Sequence, residues 1–141
     1  MTGVPEPALE WVAEVSRLVS EPSTTPESLV SWAGGAPSPG DEGEVVVTAP
    51  AAIPGALDVL VSGEGGVPEA VSAAYDPETG PPLDDAILAL GAWHEFTRSP
   101  PGPYQGAFDG VAPRGWELVG TLHDPPGAAG RRLVEVALLR S

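Results

Sequence analysis

The sequence predicts an α+β protein, with an antiparallel sheet of about six strands and two or three helices packed on one face. Three observations carry that expectation. Apolar residues fall at helical spacing in two short early segments and in one near the middle, whereas 44–75 and 104–139 favour the period of two that one-sided strands require. Turn formers are abundant, 18 Gly and 18 Pro in 141 residues, so the elements must be short and the connections many. The last stretch, 115–140, reads as a hairpin too apolar to stand alone, so something must cover it. A chain of this length buries a core as one domain, expected to be helical over 7–34 and sheet-forming over 44–141.

Pro7 heads the first helix, whose stripe is Trp11, Val12, Val15, Leu18 and Val19. Glu10, Glu14, Arg17 and Glu21 take the other face, with Glu14 and Arg17 three apart and able to pair. Pro22 ends this helix. Thr24 is expected to cap a second one, completing a capping box with Glu27 and presenting Leu29, Val30 and Trp32 before Gly34 and Gly35 stop it. The Pro- and Gly-rich run 35–43 reads as a loop. Glu44–Thr48 is a strand by its β-branched content. A hairpin follows, with Leu57, Val59 and Val61 meeting Val71, Ala73 and Tyr75 across the glycine turn 63–66. The competing assignment is a strand, a Gly-Glu-Gly-Gly phosphate loop and a helix opened by Pro68. Leu83–Leu90 is the third helix, with Asp84 and Asp85 in its first turn and Gly91 at its end. A weak strand from Tyr104 leads into the closing hairpin. There Trp116, Leu118 and Leu122 share a face, and Val134, Val136 and Leu138 are set opposite Leu133, Glu135, Ala137 and Leu139. Helices then three strands, twice, is a loose duplication of elements without residue-level repetition.

Composition narrows function. Twenty acidic residues against six basic ones leave a net charge of -14, and Arg17 is the one basic residue in the first 70. Such a surface repels phosphate backbones, so no nucleic-acid partner is expected, and a basic protein partner is. All six basic residues are Arg, and Lys and Asn are missing, the bias of a high-GC bacterial genome. Without Cys there is no disulfide, thiolate metal site or thiol catalysis. No basic stretch followed by an apolar run opens the chain, and no apolar run approaches spanning length, so a cytoplasmic protein with no membrane partner is expected.

Specific chemistry finds no foothold. His94 and His123 each adjoin an acid, but sequence neighbours point apart, and no His-Glu-x-x-His or calcium-loop spacing appears. Ser62 lacks the Gly-x-Ser-x-Gly context of a nucleophile. No catalytic residue, metal or cofactor is therefore expected. Trp93, Phe96, Tyr104, Phe108 and Trp116 form an aromatic group read chiefly as core, with Trp93 as its innermost member. The expected partner-binding residues are Tyr104, Arg114, His123, Asp124, Arg131 and Arg132, which put an aromatic anchor and positive charge on an otherwise acidic molecule. The function expected is a non-enzymatic acidic protein-binding domain, an immunity- or antitoxin-like inhibitor of a basic effector. The alternatives are a small structural subunit of a phage or secretion-type assembly, and a ligand-binding or catalytic domain using the 63–66 loop.

Overall fold

The computed structural model describes residues 7–40, 43–96, 104–123 and 131–140. After a 3-10 turn at Pro7–Leu9, helices α1 (Glu10–Val19) and α2 (Pro26–Ala33) precede a meander of β1 (Ala36–Pro39), β2 (Glu44–Thr48), β3 (Ala56–Glu64) and β4 (Val67–Tyr75). Helix α3 (Leu83–Leu90) precedes a second meander of β5 (Trp93–Glu95), β6 (Tyr104–Phe108), β7 (Trp116–Leu122) and β8 (Leu133–Arg140). The meanders join through their last strands, giving one antiparallel sheet in the order β1-β2-β3-β4-β8-β7-β6-β5.

The α+β class, the three helices and the single antiparallel sheet match expectation, but eight strands replace six. The two additional strands are the outermost ones. β1 is Ala-Pro-Ser-Pro, read from sequence as loop. Proline is tolerated at a sheet edge, where its missing N–H can face away from the ladder, and Pro37 and Pro39 pair with Val47 and Val45. β5 has three residues, too few to show a period. The duplication therefore holds with four strands per half.

Register explains how one face is buried. Val59 pairs with Ala73 and Val61 with Val71; Val71 and Ala73 pair with Leu138 and Val136; Leu138 pairs with Leu118, and Leu118 with Phe108. All these side chains are buried in one cluster with Trp11, Val12 and Val15 of α1, Leu29 of α2, and Ala86 and Leu90 of α3. The helices thus cover the face on which these residues lie.

Two irregularities break the expected alternation. A register shift between Ala56 and Asp58 puts Ala56 opposite Tyr75 and leaves Leu57 52% exposed, off the face it was expected to share with Val59 and Val61. A second shift beside Leu122 places Leu133 opposite it, so Leu133 is buried with Val136 and Leu138 while Val134 is only half-buried. The cap of α2 also lies one residue later than expected. Thr25 accepts from the Ser28 N–H at 3.1 Å and Ser28 Oγ accepts from the Thr25 N–H at 3.0 Å, whereas Thr24 donates to the Leu18 carbonyl. Trp93 proves half-buried, resting on Phe108 at 4.8 Å between ring centroids.

The glycine turn is a hairpin. Glu64 pairs with Val67 across Gly65 and Gly66, whose φ of 62° and 79° suit the two-residue turn that matches strand twist. Residues 69–75 lie within β4, so the helix needed by a phosphate-cradling turn is not formed.

Candidate functional site

Four of the six expected partner-binding residues come together at one end of β6, β7 and β8. Tyr104 opens β6 opposite Leu122, and the next residue, His123, donates its N–H to the Arg132 carbonyl at 2.8 Å. The Arg131 carbonyl accepts from the Leu83 N–H at 2.9 Å, which latches the start of α3 to the approach to β8. Arg114 stands apart. It precedes β7, whereas the group lies at the far end of that seven-residue strand, roughly 20 Å away at 3.3 Å per residue. Asp124 lies outside the described residues.

Both clustered arginines are engaged within the chain. Arg131 donates to the Glu95 carboxylate, and its guanidinium carbon sits 5.9 Å from the centre of the Tyr104 ring, within cation–π range. Glu95 also accepts from the Trp93 indole N–H at 3.2 Å. The hydrogen bond from Arg131, and secondarily that from Trp93, holds the Glu95 carboxyl below its ordinary pKa. Arg132 donates to the Gly80 carbonyl at 2.7 Å. Sequence reasoning missed Glu95, because its contact with Arg131 spans 36 residues.

His94 does not use its neighbour Glu95; its Nε2 lies 2.9 Å from Asp109 Oδ2, on the surface. Asp109 also accepts from the Ala92 N–H at 3.0 Å, and its pKa is lowered, first by the His94 hydrogen bond. Among the described residues no group of three or more His, Asp or Glu is placed to hold a metal. Nor is any described helix long and apolar enough to cross a membrane.

A groove of ≈ 660 Å³ runs between α2, β2 and the β3–β4 turn. Pro26, Val30, Val45 and Val61 line it with Glu27 and Ser31, and no basic residue does.

The more extensive feature is the sheet face turned away from the helices. Register arranges it in three rows across the strands. The middle row runs Val46, Leu60, Ser72, Ala137, Val119 and Ala107, small or apolar throughout. The row on one side begins with Glu44 on β2 and reaches Glu117 on β7. The row on the other side carries Asp58 on β3 and Glu135 on β8. No arginine occupies any of these register positions. Sequence reasoning missed this face, because its charge pattern appears only once β4 is placed beside β8.

Compared with protein-family models, curated proteins and solved structures, the chain finds no match.

Proposed function

We propose that this chain is a non-enzymatic, acidic protein-binding domain that masks a basic effector in the cytoplasm, in the manner of an immunity or antitoxin protein. One observation carries the reading. The net charge is -14, and three of the few cations are spent internally, Arg17 on Glu14 and Glu21, Arg131 on Glu95, and Arg132 on the Gly80 carbonyl. What remains is a strongly negative field, which speeds encounter with a positive partner and disfavours wrong ones.

The test is purification of the tagged chain from its own host at low salt, followed by reconstitution from purified components. The reading expects a basic protein that re-forms a complex, loses its own activity in it, and dissociates as salt rises. A stoichiometric partner that is acidic, or a basic one whose activity survives complex formation, contradicts it.

A further inference from the structure

We infer that the helix-free face of the sheet is the docking surface, and that its occupant is a partner protein presenting an apolar centre bordered on both sides by Arg or Lys. This inference rests on the proposed function and names the surface through which it works.

The geometry is specific. Across β2 to β6 the apolar middle row spans five strand intervals, roughly 24 Å at about 4.8 Å each. The flanking rows lie two residues away along each strand, roughly 7 Å to either side. Carboxylates stand in both, Glu44 and Glu117 in one, Asp58 and Glu135 in the other. Glu117 and Glu135 are exposed, Glu44, Asp58, Leu60, Ser72 and Val119 are half-buried, and the small Ala137 at the centre of the row is buried between its neighbours. An apolar strip of this width leaves favourable burial unused, while the carboxylates on either side select for cations at the rim. The same charges select against a second copy of this chain, which would set carboxylate rows against each other on a molecule already at -14. The Arg131 end is a weaker candidate for this occupant, since its cations are paired and would repel a basic partner.

The test uses the full chain, labelled with ¹⁵N, and two probes: an amphipathic Leu/Lys peptide and an oligolysine of equal charge. The expected result is that amide shifts concentrate on Leu60, Ser72, Ala137 and Val119, with the Leu/Lys peptide bound about tenfold more tightly than oligolysine because only it fills the apolar row. Ser72→Arg and, independently, Val119→Arg should each weaken the Leu/Lys peptide about tenfold or more, while Glu27→Gln in the groove and Arg131→Gln change it little. Preserved amide dispersion in either variant shows that it has folded. Shifts confined to the groove or to 131–133 overturn the surface assignment and leave the basic-partner reading standing. Self-association of the free chain that Ser72→Arg abolishes overturns the choice of occupant. No saturable binding by either peptide overturns the inference, while the proposed function is decided separately, by whether a basic protein co-purifies and loses its activity in the complex.

Discussion

The indole N–H of Trp11 donates to the hydroxyl oxygen of Tyr75 at 2.8 Å, and that hydroxyl donates onward to the Ala8 carbonyl at 2.6 Å. Trp11 lies on α1 and Tyr75 ends β4, both 2% exposed, so a relay between residues 64 apart fastens the first helix to the strand at the centre of the sheet. Tyr75→Phe keeps the ring and takes away both of these bonds. It should lower stability by about 1–3 kcal/mol, the usual cost of leaving buried polar groups without partners. Urea unfolding checks this: the midpoint should fall with the slope unchanged.

Gly120 faces Gly106 across β6 and β7, and the Trp93 indole rests over the hollow they leave. A Cβ at Gly120 would stand 2.9 Å from Leu133 Cδ2 and Phe108 Cε2, and 3.1 Å from Trp93 Cζ3. Gly120→Ala should therefore destabilise by about 1–3 kcal/mol through overpacking. A change in Trp93 fluorescence in the folded variant would locate the disturbance, and unaltered fluorescence and stability would refute it.

Ala49, between β2 and β3, has a φ of 51°, in the left-handed region that costs an L-residue about 1–2 kcal/mol. Ala49→Gly relieves that strain but adds freedom to the unfolded chain, so a net gain of up to about 1 kcal/mol is expected. Thermal unfolding should show a higher midpoint for Ala49→Gly and a lower one for Ala49→Val.

Arg131 and Trp93 hold the Glu95 carboxyl below its ordinary pKa. A carboxyl depressed in the folded state stabilises above its unfolded pKa, and that contribution is lost as pH falls through the folded value. A ¹³C titration of Glu95 should give a midpoint below that of an ordinary glutamate. In Arg131→Gln the midpoint should rise towards it, and an unmoved midpoint would assign the shift to another cause.

How far the fold could be read from sequence depended on whether the physics was local. The β7–β8 hairpin and the stripe of α1 were legible because period two and period 3.6 are written along the chain. Leu57 and Leu133 were misplaced because a bulge reverses parity without any sequence signal of its own. β1 and β5 were missed because an Ala-Pro-Ser-Pro segment and a three-residue strand become strands only when a neighbour pairs with them. Tyr104, Arg131, Arg132 and His123 were legible as a group, but Glu95, which engages Arg131, was not. The acidic rows were least legible, since Asp58 and Glu135 share a row only through the β4–β8 pairing.

Among the described residues, one face of this sheet stands uncovered by the helices and carries the acidic rows, while the other is core. Paramagnetic relaxation by a soluble neutral nitroxide tests it most directly, read on the methyl groups of the free protein. Attenuation should be strong at Leu60, Ala70, Ala74, Val119 and Leu139, and slight at Val59, Val61, Val71, Val136 and Leu138. Equal protection of the two sets would mean that the face is covered, and would contradict the account.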